Sequence, residues 1–130
     1  VRVASANARL NRIAPQQMRC VFSTGFAGRA VRLGGRYNVI LANILAGPLR
    51  RMASDLALHL SPNGWLILSG ILNEQAVGVE RAYAAKGLRC WDMLRIGDWT
   101  TIIMRPAVVG AIPRLWHGRR PSAMITQKDE

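Results

Sequence analysis

Cysteine, histidine, lysine and acidic residues are scarce in these 130 residues, and long apolar runs are missing. The 2 cysteines, Cys20 and Cys90, lie far apart, each in an apolar stretch. They form neither a zinc spacing nor a redox pair, and are expected to be buried thiols in a reducing cytoplasm. His59 and His117 are isolated, so no metal is expected. No apolar run reaches the roughly 18 residues of a membrane span. The longest candidate, 39–49, is interrupted by Asn43, Gly47 and Pro48, so no membrane partner is expected. Residues 1–10 contain Arg2, Asn7 and Arg9, so no signal peptide is expected there.

Acid is outnumbered by base, 7 residues against 18, for a formal net charge of +11. Such an excess steers a protein toward polyanions or an acidic partner, and RNA contact through the arginines is one reading. The only lysines are Lys86 and Lys128; the other basic residues are arginines running from Arg2 to Arg120. Doublets occur only at Arg50-Arg51 and Arg119-Arg120, whereas nucleic-acid patches cluster, with stacking aromatics between the charges. A hydrophobic fraction of 50% excludes a wholly disordered chain, and the length suits one domain.

Residues 4–13 read as the end of a helix stopped by Pro15, and 19–22 as a short strand. Residues 23–36 hold Gly25, Gly28, Gly34 and Gly35 and read mostly as loop. The apolar run 37–42, ending at Asn43, suits a parallel strand covered on both faces. Gly47-Pro48 places proline at a helix's first position, and Leu49, Met52, Ala53, Leu56 and Leu60 form one helical stripe. Ser61-Pro62-Asn63-Gly64 breaks it, and 65–71 is a second buried strand. Asn73 is placed to cap the next helix, whose stripe is Ala76, Val79 and Tyr83, with Gly87 at its end. Residues 88–96 and 99–104 form a hairpin about Gly97-Asp98. The alternation predicts an α/β fold with a mostly parallel sheet and an antiparallel C-terminal edge. Two units follow, an α/β part over 1–105 and a basic, disordered tail over 106–130.

Ligands of open α/β sheets bind beyond the carboxyl ends of the strands. Two such ends stand out, Asn43-Ile44-Leu45-Ala46-Gly47-Pro48 and Ser69-Gly70-Ile71-Leu72. Spacing alone leaves two roles open for Asn43: satisfying local backbone groups, or offering its amide to a ligand.

Asn43-Ile44-Leu45-Ala46-Gly47-Pro48-Leu49 resembles the signature of PrmA-type methyltransferases, which act on large-subunit ribosomal protein eleven. Asn7-Ala8-Arg9-Leu10-Asn11 is similar to the helix after that family's second strand. Leu68-Ser69-Gly70-Ile71-Leu72 with Gln75, and Gly97-Asp98-Trp99 with Thr101, resemble its later strands. The resemblance implies a partial class I (Rossmann-like) methyltransferase domain of strand order 3-2-1-4-5-7-6, lacking the first two strands. It implies S-adenosyl-L-methionine as cofactor and methyl transfer to lysine or N-terminal amino groups of a ribosomal protein. It makes Asn43 the catalytic and cofactor-binding residue, with Ile44 and Leu45 as apolar walls of the cofactor site. The glycine-rich loop after strand one and the acidic residue ending strand two are absent, so the isolated chain is expected to bind the cofactor weakly or not at all. With Val rather than Met at its start, the chain is expected to be a fragment of a longer cytoplasmic enzyme, a truncated gene or a remnant. Competing readings are another class I amine or amide methyltransferase and a non-catalytic basic RNA-binding fragment.

Overall fold

The computed structural model describes residues 1–107 except 24, 27, 29, 30, 32 and 33. Residues 108–130, most of the expected tail, lie outside the described residues. The elements run α1 (Arg2–Leu10), β1 (Tyr37–Asn43), α2 (Ala46–Arg51), α3 (Ala53–His59), β2 (Leu60–Leu72), a 3-10 turn (Asn73–Gln75), α4 (Ala76–Ala84), β3 (Leu88–Ile96) and β4 (Trp99–Pro106). No helix among them is long and apolar enough to cross a membrane.

The four strands form one mixed sheet of order β1-β2-β4-β3. β1 and β2 are adjacent and parallel, as the two apolar runs predicted, with Ile40 opposite Leu66 and Asn43 opposite Ser69. β4 returns antiparallel between β2 and β3, supplying the antiparallel edge. Strand β4 extends through Pro106, and Ala107 donates its N–H to the Gly87 carbonyl at 2.8 Å.

The core fills one face of this sheet. Leu66 and Leu68 of β2, Ile102 and Met104 of β4 and Leu88 of β3 are buried against Leu49, Ala53, Leu56, Ala76, Val79 and Tyr83 of the helices. The Tyr83 hydroxyl donates to the Leu49 carbonyl at 2.9 Å, tying α4 to α2. Burial pushes its phenol well above the ordinary value. The predicted stripe therefore packs as expected, but on two short helices meeting at Met52, and Leu60 already opens β2. Pro48 occupies the third helical position rather than the first; it breaks no bond, because the first turn's N–H groups have no intrahelical acceptor. Ser61-Pro62-Asn63-Gly64, expected to separate helix from strand, instead bulges within β2, between the pairs Tyr37–Leu60 and Val39–Trp65.

Four expectations fail. The 37–42 strand is covered on one face only: Val39 and Leu41 point outward, 53% and 73% exposed, because all the packed helices lie on the other side. Residues 19–22 form no strand, since no described strand lies alongside to complete a hydrogen-bond ladder. Helix α1 ends at Leu10, short of Ile13, and buries none of its residues. The thiols of Cys20 and Cys90 are free but half-buried rather than buried. Burial, with Glu80 and Asp92 nearby, raises the Cys90 thiol above its ordinary value.

Candidate active site

The site grows from a bulge. Leu68 pairs with Ile102 and Ile71 with Thr100, so Ser69 and Gly70 together face the single residue Thr101. The extra residue shifts the strand's alternation by one, which lets Ile71 return to the core after Leu68. Gly70 takes φ +75°, a left-handed conformation that costs other residues roughly 1–2 kcal/mol. A Cβ built there would stand 2.6 Å from Asn43 Oδ1, so only glycine allows the amide this close. The bulge is held by the Ser69 and Thr101 hydroxyls, 3.1 Å apart.

Asn43, last residue of β1, is exposed, and its side chain makes no hydrogen bond among the described residues. It lies beside Ser69, Gly70 and Trp99 along an open crevice of about 290 Å³ at the carboxyl ends of the parallel strands. Among the described residues the Asn43 amide satisfies no local backbone group. Ile44 follows against the Gly70 backbone, 40% exposed. Leu45 precedes α2 and projects outward, 73% exposed. Asn43 thus lines the crevice, while Ile44 and Leu45 flank it on the connection to α2. Trp99, 55% exposed, read from sequence only as a strand residue, and only the antiparallel return of β4 brings it here.

Asn73 does not cap the following helix. Its N–H donates to the Asp98 carbonyl at 3.0 Å and its Nδ2 to the Gly97 carbonyl at 2.9 Å. Its Oδ1 accepts from Thr100 Oγ1 at 2.6 Å. These bonds clamp the β3–β4 turn against the end of β2, and so hold Trp99 at the crevice. The Thr100 hydroxyl takes the Oδ1 acceptor that a cap would have offered to the helix N–H groups.

None of the crevice residues is ionisable. Among the described residues the crevice therefore offers amide, hydroxyl and indole groups for positioning, and no general acid or base. A crevice of similar size on the helical layer, between Ser54, Ala57, Leu58 and Lys86, has no group at a strand end to aim at a ligand.

The half-sheet recurs in solved methyltransferases. A methyltransferase from Pyrococcus furiosus superposes with a TM-score of 0.60 at 19% identity, over 78% of this chain and 54% of that one. The fold class is accordingly that of the α/β methyltransferases. The ribosomal protein L11 methylase of Lactobacillus delbrueckii subsp. bulgaricus superposes with a TM-score of 0.71 at 29% identity, over 80% of this chain and 51% of that one. Ribosomal protein L11 methyltransferase of Bradyrhizobium diazoefficiens is 45% identical over 105 residues, 81% of this chain and 35% of the relative. Residues 1–107 match the family model described as ribosomal protein L11 methyltransferase (PrmA), and the chain belongs to that family. It spans about a third of the length of the curated relatives it matches.

Proposed function

We propose that this chain is the C-terminal part of the catalytic domain of an S-adenosyl-L-methionine-dependent methyltransferase. The enzyme transfers methyl groups to lysine or N-terminal amino groups of ribosomal protein L11 in the cytoplasm. The observation that carries the reading is the outward-facing Asn43 amide over the Gly70 bulge, in a crevice without ionisable groups. Methyl transfer to an amine asks a site for placement rather than for a covalent nucleophile, and this crevice offers placement.

The residues present fit the reacting end of the cofactor: a short polar amide held close over Gly70, where a Cβ would displace it, with the Trp99 indole along the same crevice. When bound, S-adenosyl-L-methionine supplies an electrophilic methyl group. Asn43 is the catalytic residue: its Oδ1 accepts an N–H of the incoming amine and aims the nitrogen lone pair. Ile44 and Leu45 are cofactor-binding residues that supply apolar walls. Trp99, which lines the crevice, desolvates the amine, which lowers its pKa toward the neutral, nucleophilic form.

The test is a chimera in which residues 1–107 replace the matching segment of the Bradyrhizobium diazoefficiens enzyme. Labelled methyl groups should pass from the cofactor to lysine or N-terminal amines of L11, located by mass spectrometry. A folded, cofactor-binding chimera that leaves L11 unmodified contradicts the proposal.

A further inference from the structure

A second side-chain cluster occupies the outward face of the sheet, at the end of the strands opposite Asn43. Trp65 of β2 lies four residues from Ser69, roughly 13 Å along the strand. Pairing of Arg89 with Arg105, and of Leu66 with Met104, brings Trp65, Arg105, Arg89 and Trp91 side by side from three strands. Trp91 is the extra residue of a bulge between Cys90 and Asp92, which turns its indole outward, 55% exposed. The two indoles meet edge to face, centroids 5.6 Å apart and planes at 89°. The Arg105 guanidinium lies 4.3 Å from the Trp65 centroid and 5.4 Å from that of Trp91. The Arg89 guanidinium lies 5.6 Å from the Trp91 centroid.

Aromatic faces hold these two cations, with no carboxylate partner among the described residues. The nearest acid in sequence, Asp92, accepts the Met93 N–H at 2.8 Å and forms no ion pair with either guanidinium among the described residues. Guanidinium N–H groups remain available to phosphate, beside an exposed indole of the kind on which bases stack. Charge points the same way. The chain carries +11 overall. It leaves the sheet at Ala107, two residues past Arg105, and continues into a sequence with Arg114, Trp116, Arg119, Arg120 and Lys128. A duplex hides its base faces and would meet only the charges.

We propose that Trp65, Trp91, Arg89 and Arg105 form a binding platform for single-stranded nucleic acid, with bases stacked on Trp91 and phosphates on the guanidiniums. The site is separate from the Asn43 crevice and stands on its own observations.

The test is fluorescence anisotropy of a labelled oligouridine with the 130-residue chain across a salt series. Trp91→Ala should weaken binding on the order of tenfold with the salt slope unchanged, and Trp91→Phe should keep most of the affinity. Arg89→Gln, an exposed position, should lower the slope by about 0.7, the loss of one phosphate contact to a single strand. Arg81→Gln, exposed on α4 across the molecule, should do neither. Absence of binding overturns the platform. So does equal affinity for a duplex of the same length, or equal weakening by Arg81→Gln and Arg89→Gln with Trp91→Ala silent, since both would reduce it to net charge. Circular dichroism and melting of each variant establish that it is folded; if Trp91→Ala is not, Arg89→Gln against Arg81→Gln decides.

Discussion

Replacing Gly70 with alanine probes the bulge and the amide together. Two costs are expected. The first is backbone strain at φ +75°, about 1–2 kcal/mol. The second is the approach of the new Cβ to Asn43 Oδ1 at 2.6 Å. Asn43 is exposed and can turn aside, so this adds no more than an off-rotamer side chain, about 0.5–1.5 kcal/mol. Gly97 isolates the first cost: its φ is +56° and a Cβ there meets nothing within 4 Å. Urea unfolding should then give about 1–2 kcal/mol for Gly97→Ala and about 2–3 kcal/mol for Gly70→Ala. In an Asn43→Ala background the Gly70→Ala cost should return to the strain alone, a coupling on the order of 1 kcal/mol. The side-chain amide resonances of Asn43 should move in Gly70→Ala and stay in Gly97→Ala. A Gly70→Ala variant as stable as the parent would refute the left-handed bulge. An additive cycle with unmoved Asn43 signals would refute the close approach.

Other variants test the supports of the site. Asn73→Ala removes the acceptor of the buried Thr100 hydroxyl and the donor to Gly97, so it should cost about 2–3 kcal/mol and speed amide exchange in the 97–99 turn; a loss under about 0.5 kcal/mol would contradict the clamp. The Tyr83 phenol is raised in the folded state, so the stability it contributes is complete below about pH 10. Above that pH the unfolded chain releases its proton first, and stability should fall by up to about 1.4 kcal/mol per pH unit until the folded phenol ionises. Denaturant midpoints from pH 9 to 11 should show this fall in the parent and a smaller one in Tyr83→Phe; equal falls would contradict it.

The parallel pair β1-β2 was legible because each strand is a continuous apolar run followed by a helical stripe, and local periodicity carries that much. Asn43 was legible as a polar residue ending such a run. The crevice around it was not, because it depends on pairing between distant segments. Trp99 arrives through the antiparallel return of β4, and the Ser69-Gly70 bulge exists only relative to Thr101. Asn73 looked like a helix cap because its true partners, Gly97 and Thr100, lie far along the chain. Scattered arginines gave no patch in sequence, yet strand register sets Arg89 beside Arg105 and two tryptophans. The 19–22 segment has a strand's composition, but composition does not supply a neighbour.

The role of Asn43 is tested most directly by methyl transfer to L11 in the chimeric enzyme, with Asn43→Ala and Leu56→Ala compared in one assay. Asn43 faces the crevice, so its truncation leaves no core cavity; kcat should fall on the order of 100-fold with little change in melting temperature. Leu56 is 2% exposed on the inner side of α3, so its truncation should cost roughly 2–5 kcal/mol of stability while the folded fraction keeps its turnover. Near-normal transfer by Asn43→Ala would contradict the assignment and leave Asn43 a residue that merely ends a strand.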